Sequence, residues 1–178
     1  MTSIIKVNEI QDAGGNTILS SNGTGTFTSN LPNNTPAFKA KNASDQTIPN
    51  TTFTKVTLGT EVFDTNNAFA SDRFTVPSGH DGKYFISAQI SIACTDDHRQ
   101  VEGYIYKNGS GLAELSVRNF FNGDLLNDGE QTLSINGILD LVAGDYLELY
   151  GRPYDSSSTG TITYPSGRCV FQGYKIIE

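Results

Sequence analysis

Residues 74–92 read FTVPSGHDGKYFISAQISI, and the second half of this stretch alternates apolar and polar side chains. Successive side chains of an extended chain point to opposite sides, so every second residue shares a face. The apolar residues that share one face are Tyr84, Ile86, Ala88, Ile90 and Ile92. The turn formers Pro77, Gly79 and Gly82 come directly before them. The pattern predicts a strand over Gly82–Ile92 that buries one face in a core.

Short strands separated by turn signals recur on both sides of this stretch. Asn108-Gly109, Asn122-Gly123 and Asp128-Gly129 suit tight turns, and no window has a convincing helical period. The other predicted strands are Ala37–Lys41, Thr54–Leu58, Glu61–Phe63, Arg73–Thr75, Arg99–Lys107, Ala113–Asn119, Gln131–Leu141, Tyr146–Tyr150 and Arg168–Ile176. About ten strands in one domain predict an all-β fold, a jelly-roll β-sandwich over residues 36–178.

Composition and charge exclude several classes of protein. The chain has 178 residues and a formal net charge of -7, so its surface repels phosphate backbones and we expect no nucleic-acid partner. There are 18 glycines, one methionine and no tryptophan, a composition unlike that of helical proteins. The longest apolar runs are far shorter than the roughly 20 residues that span a bilayer, so no membrane insertion is expected. We expect no secretory signal, because the first residues lack a basic start followed by a continuous hydrophobic stretch.

Residues 1–35 differ from the rest because their apolar side chains are sparse. Glycine- and asparagine-rich turns separate them, and so little apolar area does not offset about 1–2 kcal/mol of backbone entropy per residue. The segment is therefore either a disordered leader or an extended arm that docks on a partner. We interpret residues 1–35 as an N-terminal docking arm. Its candidate docking residues are Ile4, Ile5, Val7, Ile10, Ile18 and Leu19.

Four stretches of residues 36–178 resemble, in order, the complement C-one-q globular head of the tumour-necrosis-factor-like jelly-roll superfamily. The main stretch is FTVPSGHDGKYFIS, in which Phe74, Val76, Pro77, Gly82 and Tyr84 match, while Phe85 comes one place early and the turn is slightly longer than usual. The others are YIYKNGS (104–110), GILDLVAGDYLELY (137–150) and VFQGYKI (170–176), and PAFKA (36–40) is similar to the opening strand. The resemblance implies a homotrimer with aromatic side chains at the contacts.

The leader IIKVNEIQDAGGNTILSSNGTG (4–25) resembles that of virion structural proteins from marine, cyanophage-type tailed bacteriophages. This resemblance implies a non-enzymatic phage surface protein that is assembled in the host cytoplasm. Residues 1–35 would then bind other virion proteins, while the head attaches to a host glycan or surface protein. A tail-fibre or spike tip and a capsid decoration protein both remain open, because the short length permits either. The sequence has no repetitive shaft, which favours a fibre tip or compact appendage over a long fibre.

The best ligand-binding candidates in the head are Tyr150, Arg152, Tyr154 and Asp155. Tyrosine rings stack on sugars and arginine donates hydrogen bonds to hydroxyls or acids. Loops carried by rigid sandwiches often bind ligands, although the serines at 156–158 also suit a mobile loop tip. Phe120 and Phe121 are adjacent, so one of them is exposed or covered by another chain.

Metal binding has weaker support. Asp96 and Asp97 form one carboxylate pair and are the first choice for a calcium site, because calcium takes six to eight oxygen ligands. A second acidic cluster comprises Asp124, Asp128 and Glu130. Neither spacing matches a known calcium loop, so we expect no cofactor, with calcium as the one alternative.

Catalysis is not expected. His80 and His98 lie in predicted loops without a nucleophile motif. A glycosidase needs two cooperating carboxylates. Asp140 and Glu148 lie in adjacent predicted strands, but their neighbours in those strands indicate ordinary outward-facing charges. Cys94 and Cys169 have no metal-type spacing and could be reduced or paired. A disulfide would favour a third alternative, an exported complement-like signalling head.

Overall fold

The computed structural model describes residues 7–29, 33–95, 98–120, 129–155 and 161–177. The chain divides into two compact units, Met1–Asn33 and Asn34–Glu178. We refer to the second unit as the head. In the described residues no helix is long and apolar enough to cross a membrane.

The N-terminal unit contains a small antiparallel sheet. Its strands are β1 (Glu9–Gln11), β2 (Thr17–Ser21) and β3 (Phe27–Ser29), in the order β1-β2-β3. Side-chain oxygens close the two turns: Asp12 Oδ1 accepts from the backbone N–H of Gly14 at 2.8 Å, and Asn22 Oδ1 accepts from that of Thr24 at 2.9 Å. Local turn chemistry therefore organises a segment that has almost no core.

The head is a sandwich of two antiparallel sheets, with the strand order of a jelly roll. Its strands are β4 (Ala37–Lys41), β5 (Gln46–Thr47), β6 (Thr54–Lys55), β7 (Thr60–Asp64), β8 (Phe69–Ala70), β9 (Arg73–Thr75), β10 (Gly82–Cys94), β11 (His98–Lys107), β12 (Ser110–Phe120), β13 (Gly129–Leu141), β14 (Tyr146–Asp155), β15 (Ile162–Tyr164) and β16 (Val170–Lys175). Within the described residues one sheet has seven strands, ordered β5-β15-β10-β16-β4-β7 with β13 paired to β10. The other has six, ordered β12-β11-β14-β9-β8 with β6 paired to β14.

The core lies between the two sheets and confirms the predicted alternation of β10. Its inward residues Tyr84, Ile86, Ala88, Ile90 and Ile92 are all buried. Ile90 packs onto two glycines of the facing sheet: a Cβ at Gly151 would lie 2.5 Å, and one at Gly103 2.8 Å, from the Ile90 side chain. Glycine at these positions lets the sheets approach closely. In the same core the buried Phe38 ring stacks on Phe74 and packs edge-on against Phe171.

Several predicted strand ends were wrong. β14 runs to Asp155 instead of ending at Tyr150, because its backbone pairs with β11 past Gly151 and Pro153. The strand predicted over Thr54–Leu58 is confined to Thr54–Lys55, although Leu58 is buried. The Leu58 backbone N–H donates to Asp72 Oδ1 at 2.6 Å, so a hydrogen bond to a side chain takes the place of backbone pairing with a neighbouring strand.

Candidate functional site

β14 carries three of the four predicted ligand-binding residues on one face. Tyr150, Arg152 and Tyr154 alternate with buried Gly151 and Pro153, so they share the side of the sheet that faces away from the core. Their assignment to a ligand stays a prediction.

The structure does not bring Asp155 together with these residues. Asp155 lies on the opposite, inward side of β14 and is buried. Its backbone exchanges two hydrogen bonds with the Asn50 side chain, at 2.9 and 2.8 Å, and its carboxylate accepts from the Cys94 thiol at 3.5 Å. These contacts make Asp155 a structural residue at the end of β14.

Aromatic rings from three segments meet on this side of the six-stranded sheet. Tyr104 lies opposite Tyr150 in the β11–β14 register, and the rings of Tyr106 and Tyr150 have centroids 4.0 Å apart. The Phe53 ring packs edge-on against Tyr104 at 5.1 Å, and the Arg152 guanidinium lies 4.7 Å from its centroid. We name Phe53, Tyr104, Tyr106, Tyr150, Arg118 and Arg152 the aromatic–cationic face.

Glu102 forms the base of one charged cluster beneath this face. It lies between Arg118 and Arg152 in the register of three adjacent strands and is 0% exposed. Its Oε1 accepts from Arg118 Nε at 2.7 Å, from Arg152 Nη2 at 2.6 Å, and from the Gln100 amide. Its Oε2 is buried and has no hydrogen-bond donor among the described residues. One buried carboxylate thus fixes two arginines that remain 45% and 33% exposed.

Glu148 forms a second cluster of the same kind. Its Oε1 accepts from Lys55 Nζ and from Arg73 Nη2, each at 2.9 Å, and Arg73 also lies 3.8 Å from the centroid of the Tyr146 ring. Burial raises the pKa of Glu148, but the hydrogen bonds and charges of Lys55 and Arg73 outweigh it and leave the pKa lowered. The carboxylate is therefore ionised at neutral pH, and the cluster carries one excess positive charge.

Tyr150 and Tyr106 keep their protons at neutral pH. Burial raises the pKa of Tyr150, and the nearby Glu148 carboxylate adds to the increase. Burial also raises the pKa of Tyr106, with a further contribution from Tyr104. Both hydroxyls can therefore donate hydrogen bonds as well as accept them.

A second surface lies on the seven-stranded sheet, on the side that faces away from the core. Ala37, Tyr174, Phe85 and Ile138 are neighbours across β4, β16, β10 and β13, and we name them the apolar row. The rings of Phe85 and Tyr174 are 5.5 Å apart. With the exposed Phe63 they line a cavity of about 200 Å³. The next row along the same strands is polar and comprises Lys39, Gln172, Ser87 and Asn136.

The predicted docking residues are described in part. Val7 and Ile10 are exposed, as is Phe27 at 67%, and together with Leu19 they line a cleft of about 160 Å³. Ile18 and Leu19 are half-buried. Ile4 and Ile5 lie outside the described residues.

The predicted calcium ligands Asp96 and Asp97 also lie outside the described residues, as do Asp124, Asp128 and Phe121. Glu130 is described, and it pairs with Arg168 at 3.3 Å. In the described part of the chain no group of three or more His, Cys, Asp and Glu side chains is arranged to hold a metal ion. Calcium binding at Asp96 and Asp97 stays a prediction.

Asp140 and Glu148 do not form the carboxylate pair that glycoside hydrolysis would need. Asp140 lies on β13 of the seven-stranded sheet, whereas Glu148 lies on β14 of the six-stranded sheet. Glu148 lies on the outward side of β14, as its strand pattern predicted, but it is not an ordinary exposed charge, because its side chain is buried beneath Lys55 and Arg73. The backbone carbonyl of His80 accepts a hydrogen bond from the Tyr84 hydroxyl at 2.6 Å.

Sequence reasoning missed most of the aromatic–cationic face. A signal was present in β11, where Glu102, Tyr104 and Tyr106 alternate with the buried Val101 and Ile105. Three large polar or aromatic side chains on one side of a strand indicate a solvent-facing surface that is chemically specialised. The arginine partners of Glu102 are 16 and 50 residues away along the chain, so the residue pattern within one strand does not show that they contact Glu102.

No protein-family model and no curated protein matches the chain. Solved structures do match. The globular domain of the zebrafish complement 1qA protein is 17% identical, with a TM-score of 0.55, and the match covers 80% of this chain and 98% of that one. Eiger TNF from S. frugiperda is 11% identical, with a TM-score of 0.60, over 82% of this chain and 95% of that one. The head therefore has the jelly-roll fold of complement and TNF globular heads.

Proposed function

We propose that this chain is a non-enzymatic phage virion structural protein, a homotrimeric appendage whose N-terminal unit anchors it to the particle and whose heads attach to the host surface. The observation that carries the proposal is the contrast between the two units. The head has an extensive buried core, whereas the N-terminal unit exposes Val7, Ile10 and Phe27. A small sheet with exposed apolar side chains is suited to docking on another protein.

The apolar row is the surface that supports a homotrimer. Ile138 is 59% exposed, and Phe85, Tyr174 and Phe63 extend the apolar area beside it. Contiguous exposed apolar side chains on a stable sheet favour burial against another chain. Heads packed through this row leave the opposite sheet, with its aromatic–cationic face, free for a ligand.

Anchoring and attachment both gain from three copies. Docking units bound to adjoining sites raise one another's effective concentration, so weak single contacts give durable attachment. The same holds for three heads on a repeated host ligand.

The trimer is tested by light scattering of the purified chain after size exclusion. We expect three times the chain mass of 19.2 kDa. Ile138→Asn is expected to shift this mass towards one chain, because it places an amide in the contact. Val142→Asn is the matched control, since Val142 is 58% exposed and lies outside the apolar row. A monomeric wild-type chain contradicts the trimer.

The anchor is tested on purified particles of the phage that encodes the chain. Mass spectrometry and labelled antibodies are expected to find the protein on the virion and to show whether it lies on the tail or on the capsid. Phe27→Ser combined with Ile10→Ser is expected to abolish incorporation while the head stays folded. Particles that never contain the protein, or that incorporate the double variant normally, contradict the anchoring role.

A further inference from the structure

We infer that the aromatic–cationic face binds an acidic saccharide, through arginine contacts to its carboxylate or sulfate groups and aromatic contacts to its sugar rings. This inference rests on the proposed attachment role, whose ligand it assigns to a chemical class and to a site on the outer side of the six-stranded sheet.

The charge of the face is opposite to that of the whole chain. The chain has a formal net charge of -7, yet Glu102 and Glu148 are each paired with two cations. Each cluster therefore has one excess positive charge. Since the carboxylates are buried and the cations partly exposed, the charge that an incoming ligand meets is positive, and an anionic group is complementary to it.

The geometry of the arginines favours carboxylate or sulfate groups. Arg118 and Arg152 are fixed from below by the same Glu102 oxygen, at 2.7 and 2.6 Å, so their orientation is set before a ligand arrives. Guanidinium groups keep further donors for the solvent side and bind planar or trigonal oxygen groups in a fork. A preorganised pair of cations loses little side-chain entropy on binding.

The rings beside the arginines favour a sugar over a simple ion. Tyr104, Tyr106, Tyr150 and Phe53 form one continuous, half-buried aromatic group. Aromatic faces cover the apolar C–H groups of a sugar, while the tyrosine hydroxyls form hydrogen bonds with its hydroxyls. A small anion would use only the arginines. A long phosphate polymer is disfavoured by the negative charge of the rest of the chain.

Glu102 supplies an independent indication of a ligand. Its Oε2 is buried without a hydrogen-bond donor among the described residues, a situation that native proteins seldom leave without a water or a ligand nearby. A water that bridges this oxygen to a sugar hydroxyl satisfies both groups.

The test is calorimetric titration of the purified full chain with oligogalacturonates, whose sugar rings each carry a carboxylate. Neutral malto-oligosaccharides of equal length and poly-aspartate of equal charge are the comparison probes. We expect binding of the oligogalacturonates that weakens with salt, and at least tenfold weaker binding of both comparison probes. No binding of oligogalacturonates, or equal binding of poly-aspartate, overturns the inference. The latter result would indicate an acidic protein ligand.

Variants locate the binding. Arg118→Gln leaves Arg152 on Glu102 and is expected to weaken oligogalacturonate binding about tenfold, and Tyr104→Ala about tenfold through the lost ring. Arg168→Gln is the matched control, because Arg168 is an exposed arginine paired with Glu130 outside the face. Equal weakening by Arg168→Gln, or none by the other two, overturns the inference.

A thermal melt verifies that each variant is folded. If Arg118→Gln does not fold, Arg118→Lys keeps a cation on Glu102 and loses the fork, and about fivefold weaker binding is expected; unchanged binding overturns the inference. The titration needs no particle, so a failure of saccharide binding and a failure of virion incorporation are separate results.

Discussion

The hydroxyl of Tyr164 lies 3.0 Å from the carbonyl oxygen of Gly151, so a side chain of the seven-stranded sheet is hydrogen-bonded to the backbone of the six-stranded sheet. The same hydroxyl lies 2.7 Å from the carbonyl oxygen of Thr54. Tyr164 is completely buried, and Gly151 belongs to the strand that carries the aromatic–cationic face. The contact therefore helps to set the distance between β14 and the seven-stranded sheet.

Gly151→Ala is expected to destabilise the head by about 2 kcal/mol, because overpacking in a dense core forces side chains and backbone to move. The new Cβ would lie 2.5 Å from Ile90 Cδ1 and 2.7 Å from the Tyr164 hydroxyl. Urea unfolding measures the change. Gly59→Ala is the control, since a Cβ there meets only Ala43 at 3.5 Å, and we expect a change below about 0.5 kcal/mol. Equal stability of the two variants would show that the sheets separate easily.

Glu148→Gln is expected to lower the free energy of unfolding by about 2 kcal/mol, because Lys55 and Arg73 would lose the charge that holds them. The midpoint of thermal unfolding would fall by about 4–8 °C. The exposed Glu61→Gln is the control and is expected to change little. An unchanged midpoint for Glu148→Gln would mean that the cluster does not contribute to stability.

Asp145 gives a test by pH. Burial raises its pKa, but the hydrogen bonds from Lys107, the Val142 backbone and Asn108 outweigh this and lower the pKa to about 2, from an ordinary 3.8. A carboxylate with a depressed pKa contributes stability above its unfolded-state pKa and loses it as the pH falls towards the folded-state value. Asp145→Asn is therefore expected to cost about 1 kcal/mol at pH 7 and nearly nothing at pH 2.

The control for this series is Asp140→Asn, which removes an exposed carboxylate from β13. Its effect on the free energy of unfolding should be small. Parallel pH curves for wild type and Asp145→Asn, measured by urea unfolding from pH 2 to 7, would contradict the role of Asp145.

The cysteines are expected to resist alkylation in the native protein. Both side chains are buried, and burial raises the pKa of Cys169 to about 11, so little Cys169 thiolate forms at pH 8. Intact mass after iodoacetamide should show no label without denaturant and two labels in its presence. A label on the native chain, or a mass two daltons low from a disulfide, would contradict this arrangement.

The sandwich could be predicted because its strands follow a local rule. In β10 the period of two is visible in the apolar residues at every second position from Tyr84 to Ile92, and the structure confirms it. β14 shows where the rule fails. Gly151 and Pro153 signal a break when read alone, but the facing Ile90 requires the glycine and pairing with β11 continues past the proline. Tertiary contacts thus override the local signal.

The candidate site could be predicted only where it follows one strand. Tyr150, Arg152 and Tyr154 were predicted from their side-chain chemistry beside an expected loop, and they share one face because β14 continues to Asp155. Glu102 was not, since a lone glutamate in a strand does not indicate burial; its surroundings depend on arginines brought in by β12 and β14. Asp155 was misjudged for a related reason, because its parity on β14 depends on a strand end that the sequence does not mark.

The first and last strands of the head are partners: Ala37 lies opposite Tyr174 in the β4–β16 register. Adjacent antiparallel strands are about 4.8 Å apart, so a few glycines would suffice to join Lys175 to Ala37. The chain could then be reopened in the Asn108-Gly109 turn between β11 and β12. Such a circular permutant should fold, and its new ends would emerge next to Tyr146, whose backbone pairs with Asn108. The head could thereby carry a fused peptide far along the chain from its own first strand.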